Sequence, residues 1–163
     1  MKIRSAVETD IPEITEIYGL SVVEETASFE LEPPTLAEMT SRMKAIVDGG
    51  YPYLAAEIDG AVVGYAYASA YRPREAYGHT VENTVYVARG TQGKGVGKRL
   101  ILSLMDACRD AGFKQMIGVI GGADHNRSIA LHHACGFEQV GHLKSVGYKH
   151  DRWLDSILMQ RAL

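Results

Sequence analysis

The segment Gln92-Gly93-Lys94-Gly95-Val96-Gly97 sets glycine at every second position and leads into Val96, Leu100, Leu104 and Ala107, which recur at helical spacing. Glycines let the main chain approach a phosphate closely, and the unpaired N–H groups of a helix start attract anions. The chemistry on offer is the holding of a phosphate ester, with Lys94 and Lys98 adding point charge. Two familiar nucleotide loops are excluded by spacing. A P-loop needs Gly-Lys followed by Ser or Thr, but Gly93-Lys94 precedes Gly95 and Gly97-Lys98 precedes Arg99. A dinucleotide loop needs GxGxxG inside a βαβ unit, and this loop follows a run of consecutive strands.

Other groups flank the loop. Glu82 is the one acidic residue in TVENTVYV, a stretch otherwise neutral and rich in β-branched residues. It is either an outward-facing strand residue or a base whose partial burial raises its pKa toward working pH. Arg72 and Arg74 in YRPREAYG carry forks that match carboxylate or phosphinate oxygens, the alternative being an exposed polar loop. His132, His133 and Cys135 lack the i, i+4 spacing of a helical ligand pair, and CxxC is absent, so no metal is expected.

These residues need elements to hold them. Lys2 to Ala6 alternates as a strand, and Thr9, Asp10 and Pro12 begin a helix reaching about Val23. Glu24 to Thr35 reads as a long functional loop with an extended piece at Ser28 to Leu31. Thr35 with Glu38 predicts a capping box, on a helix ended by Gly49-Gly50. Asp59-Gly60 predicts a hairpin between YPYLAAEI and AVVGYAYASAY, and HTVENTVYVA is a further strand. A helix over Val96 to Ala111, a short buried strand in KQMIGVIGG, and a helix from Ser128 to Cys135 follow. Two last strands lie near Phe137 to His142 and Arg152 to Arg161. The order β-α-α-β-β-β-α-β-α-β-β predicts one α/β domain over residues 1–163, with a mixed, mostly antiparallel central sheet and helices on both faces.

Composition narrows the partners. The 163 residues carry a formal net charge of −3, against the basic surface that nucleic-acid binding by bulk charge requires. The 2 cysteines are too few for a disulfide framework, and no apolar run has signal or spanning length, so a cytoplasmic protein away from membranes is expected.

The loop pattern Gln-x-x-Gly-x-Gly, between a strand and a helix, resembles the acetyl-CoA pyrophosphate-binding motif of the GCN5-related N-acetyltransferases. The blocks TASFELEPPT, TVENTVYV, SIALHHACGF and VGYKHDRWLD resemble the phosphinothricin and methionine sulfoximine N-acetyltransferase branch over almost the whole chain. That resemblance implies a homodimer moving acetyl from acetyl-CoA to the α-amine of a small amino acid or analogue. It gives Glu82 the role of base and His132 that of a second proton carrier. The main chain of Val85, Tyr86 and Val87 would hold acetyl and pantetheine, with the Val87 N–H as oxyanion donor. Gln92 to Lys98 would hold the pyrophosphate. Phe29, Arg72, Pro73 and Arg74 would meet the acceptor. One block departs from the pattern: where relatives carry a cofactor-binding Asn, His125 stands, and Asn126 one residue on is assigned that contact. Same-fold acetylation of protein N-termini or ribosomal proteins, and CoA binding without turnover, are the competing readings.

Overall fold

The computed structural model describes residues 1–122 and 126–163, with only the backbone described at Asn126. In chain order it contains β1 (Lys2–Ser5), α1 (Ile11–Glu24), α2 (Leu36–Asp48), β2 (Tyr53–Ile58), β3 (Ala61–Ala70), β4 (Thr80–Val87), α3 (Val96–Asp110), β5 (Gln115–Gly121), α4 (Asn126–Ala134), β6 (Glu138–Lys149) and β7 (Arg152–Ala162). Short 3-10 turns precede α1 and β4. The strands form one sheet in the order β1-β2-β3-β4-β5-β7-β6. All pairings are antiparallel except that of β4 with β5.

Helices cover both faces. On one, Ile11, Ile14, Tyr18 and Val22 of α1 and Met39 and Met43 of α2 bury against Tyr53, Ala55, Val62 and Tyr65. On the other, α3 brings Val96, Leu100, Ile101, Leu104, Met105 and Cys108 onto Ala56, Ala66, Val81 and Met116. Each helix presents one apolar stripe, as the spacing of these residues requires. The β2–β3 hairpin turns at Asp59 and Gly60, both at positive φ (51° and 85°), the geometry of the two-residue turn that their types favour.

The feature that matters for function is a parting of the sheet. The β4–β5 ladder ends at the pair Asn83–Gly118, although β4 continues to Val87 and β5 to Gly121. The other edge of β4 stays paired with β3 from Val81 to Val87. The Ala88 N–H donates to the Val63 carbonyl on β3. Successive strand amides point to opposite edges, so the N–H groups of Val87 and Val85 face the gap.

Three expectations are corrected. Ser28 to Leu31 joins no strand: the Ser28 hydroxyl accepts the Glu30 N–H (3.2 Å), a local bond that competes with strand pairing. The capping box is half made, because Thr35 accepts the Glu38 N–H while the Glu38 carboxylate pairs with Arg42. The penultimate strand runs to Lys149 rather than His142. Its turn at His150-Asp151 places both residues at positive φ (51° and 56°) without a glycine to signal it, and Ser145 is pinned out of register by Asp155 (2.9 Å).

Candidate active site

Alternation along β4 separates its side chains. Glu82, Thr84 and Tyr86 face α1 and the early loop, whereas Asn83, Val85 and Val87 face α3 and α4. Where β4 and β5 part, both sets reach one cavity of about 630 Å³, whose wall includes Glu82, Asn83, Tyr86, Phe29, Glu30 and His132. It adjoins a second cavity of about 920 Å³, bounded by Val85, Val87 and the glycine loop. Val85, Tyr86, Gly121 and Ser128 border both, so the two form one cleft through the sheet.

The Glu82 carboxyl is half-buried and its pKa is raised by burial, against the opposing charge of Arg72. It has no hydrogen bond or ion pair with another described side chain, which leaves its oxygens free for a substrate proton. His132 is 3% exposed. Its Nδ1 lies 2.8 Å from the Ser128 carbonyl and its Nε2 lies 3.1 Å from Asn83 Oδ1, while the Asn83 amide donates to the Ile117 carbonyl (3.2 Å). Both ring nitrogens thus face oxygens, an arrangement that only the doubly protonated ring satisfies fully. Burial opposes that charge and lowers the His132 pKa. Gly118 makes room for the ring, since a Cβ there would come within 2.9 Å of it. Sequence reasoning placed neither Asn83 nor Gly118 in the site, because their role appears only once β5 and α4 are side by side.

The glycine loop is built for an anion. Gly93 and Gly95 sit at φ 78° and 80°, where a side chain would be strained, and nothing lies within 4 Å of where a Cβ would stand on either. The Thr91 hydroxyl donates to the Ala88 carbonyl (2.8 Å) and anchors the turn. The first bond of α3 runs from the Arg99 N–H to the Gly95 carbonyl (3.1 Å). Among the described residues, the N–H groups of Gln92, Gly93, Gly95, Val96, Gly97 and Lys98 have no acceptor. These donors, with the positive end of α3, suit a pyrophosphate. Gln92, Gly93, Gly95, Val96, Gly97 and Lys98 border the cleft, and Lys94 does not. Arg127 and Arg152 also border it, two charges that the sequence pattern did not single out. Arg89 forms ion pairs with Glu24 and Glu25 of the opposite wall.

Arg72, Pro73 and Arg74 are exposed and do not border either cavity. Arg72 lies over the Tyr71 ring (4.9 Å) and is near enough to influence Glu82. The side chain of Asn126, and His125 altogether, lie outside the described residues. Among the described residues no cluster of three metal-ligating side chains occurs. Both cysteines are buried thiols, and burial pushes Cys108 up to about 12.

A strand edge that can bind an extended chain, leading from a half-buried carboxyl to a phosphate cradle, is the equipment of a transferase that takes an acyl group from a phosphate-bearing carrier. The chain belongs to the GNAT acetyltransferases, whose domain family, Acetyltransferase (GNAT) domain, matches residues 3–158. It is similar to the phosphinothricin N-acetyltransferase of Alcaligenes faecalis, at 48% identity over 99% of this chain and 82% of that one. Its fold matches the phosphinothricin acetyltransferase of Sinorhizobium meliloti solved in complex with AcCoA, with TM-score 0.96 and 50% identity, covering 99% of this chain and 88% of the other. A ribosomal-protein-alanine N-acetyltransferase from Brucella melitensis is equally close in fold, at TM-score 0.96, 37% identity and full coverage of both chains. No described helix is long and apolar enough to cross a membrane.

Proposed function

We propose that this chain transfers acetyl from acetyl-CoA to the α-amine of a small amino acid or analogue of the phosphinothricin or methionine sulfoximine type, by direct attack in a ternary complex. The observation that carries this reading is the continuous run from Glu82, along the unpaired edge of β4, to the six free N–H groups of the glycine loop. Bound acetyl-CoA supplies the thioester to be attacked. The free edge at Val85 and Val87 holds the pantetheine arm in extended form, and the loop of Gln92 to Lys98 holds its pyrophosphate. The Val87 N–H, facing the gap, is the donor to the thioester oxygen as charge develops there.

Glu82 removes the proton that keeps the α-amine from attacking, directly or through water. Its raised pKa suits a proton acceptor working near neutrality. His132, with its lowered pKa and access to the same cavity, is a second proton carrier. Phe29 and Glu30 form the acceptor wall, and Arg72, whose charge is felt at Glu82, is assigned with Arg74 to the acceptor's anionic groups. Neither buried thiol borders the cleft, so no acyl-cysteine step is invoked.

The homodimer is part of this proposal. It is supported by an exposed apolar run on the last hairpin, where Val140, Leu143, Val146, Tyr148 and Trp153 are uncovered. Two reduced thiols suit a cytoplasmic setting.

Similarity to the Brucella enzyme supports a second reading, acetylation of a protein N-terminus. The test is release of CoA thiol from acetyl-CoA across free amino acids, methionine sulfoximine, methionine sulfone, phosphinothricin and alanine-initiated peptides. Turnover confined to peptides would replace the small-molecule reading, and absence of turnover with intact CoA binding would leave a binding module.

A further inference from the structure

The early loop that bears Phe29 and Glu30 is fastened by a residue far away in sequence. Lys149, the last residue of β6, is 4% exposed, and its ammonium donates to the Ser28 carbonyl at 2.7 Å. Burying a lysine is costly unless its charge is compensated. Here desolvation lowers the Lys149 pKa, while Glu30 and Glu25 favour the charged form. Two residues earlier, on the same face of β6, Gly147 leaves a space that the Phe29 ring fills: a Cβ at Gly147 would lie 2.5 Å from the ring. Gly121 at the end of β5 closes the other side at the same 2.5 Å. Phe29 is therefore seated between two glycines, with the preceding carbonyl held by a buried ammonium. Ser28 also shares a 2.8 Å hydrogen bond with the Tyr18 hydroxyl, and Glu30 takes a two-pronged ion pair from Arg42 (2.6 and 3.3 Å).

We propose that Lys149 is a positioning residue for the acceptor, which acts by holding the Ser28 carbonyl so that Phe29 stays in its glycine seat and the acceptor wall keeps its shape. The proposal rests on the acetyltransferase reading and adds to it a residue outside the reacting groups. A wall set in place before binding saves the acceptor the ordering of the loop. Loss of the tether therefore falls on the acceptor and not on acetyl-CoA.

The experiment is a double-mutant cycle with phosphinothricin as the acceptor probe. Lys149→Met keeps length and apolar stem and removes the ammonium. It should raise KM for phosphinothricin about tenfold or more, with KM for acetyl-CoA within about twofold of wild type. In the Phe29→Ala background the same substitution should add less than about twofold, because the residue through which it acts is already gone. Unchanged acceptor KM, equal rises for both substrates, or additive effects of the two substitutions would each overturn the proposal. Amide hydrogen exchange makes the test independent of turnover: Lys149→Met should speed exchange of residues 26–31 and leave the β3–β4 ladder unaltered. Unchanged exchange in the loop sinks the proposal even if phosphinothricin is not a substrate. Wild-type protein that turns over no amine at all would instead sink the acetyltransferase reading.

Discussion

Glu82 and His132 lie on elements that touch different faces of the sheet, yet burial moves the two toward each other in proton affinity, raising the carboxyl and lowering the imidazole. For Glu82 as base, activity is lost as pH falls through its raised pKa, so the acid limb of kcat/KM lies above that of an ordinary carboxylate. Glu82→Gln should lower kcat/KM by roughly 10²–10⁴ and leave acetyl-CoA affinity near wild type. The sign for stability runs the other way. A carboxyl with a raised folded pKa binds its proton more tightly when folded, so its ionised form at neutral pH opposes folding. Glu82→Gln should accordingly melt no lower than wild type. A variant with full activity, or one that loses acetyl-CoA binding along with rate, would contradict the assignment, and steady-state kinetics beside calorimetry decides between them.

At the level of elements, the loop and the start of α3 work as one unit, because Gly93 and Gly95 turn successive amides to one side and the helix adds its positive end. Gly95→Glu imposes a side chain at φ 80° and sets a carboxylate among free donors. Acetyl-CoA affinity measured by calorimetry should fall at least about tenfold, on the scale of one lost charge-assisted contact. An unchanged affinity would remove the phosphate cradle from the account. This loop, the Asp59-Gly60 hairpin and the Thr35 cap were legible in the sequence because each depends on residues adjacent in the chain. The opening between β4 and β5 was not, since nothing local in TVENTVYV or QMIGVIG says where their pairing stops. The Asn83–His132 contact and the Lys149–Ser28 bond were hidden for the same reason, joining segments 49 and 121 residues apart. The length of β6 escaped because its turn uses His150 and Asp151 where a glycine would have announced it.

Across the whole molecule, β6 is an edge strand of 12 residues, and an unprotected apolar edge invites association. Trp153 is 65% exposed and stands edge-on to Tyr148, which is itself uncovered. If the proposed homodimer is built on this hairpin, Val140→Glu combined with Trp153→Glu should yield a monomer by sedimentation velocity while the far-ultraviolet spectrum stays that of the wild type. A wild-type protein that sediments as a monomer at micromolar concentration would end the dimer proposal.

The four residue pairs from Thr80–Gln115 to Asn83–Gly118 are the whole ladder between two leaves, β1 to β4 on one side and β5, β7 and β6 on the other. Beyond that ladder the leaves are joined by the core under α3, which packs on Ala56, Ala66 and Val81 of one and on Met116 of the other. A ligand hydrogen-bonded to the free edge of β4 and packed against the far wall acts as a brace across the opening. Acetyl-CoA at about 100 times its Kd should add about 2.7 kcal/mol to unfolding. That corresponds to a melting shift on the order of 5–10 °C for a domain of this size. Amide exchange at Val85 and Val87 should slow most; unchanged exchange there under saturating acetyl-CoA would mean that the ligand does not bridge the opening, and an unchanged thermal transition that it does not bind the folded chain.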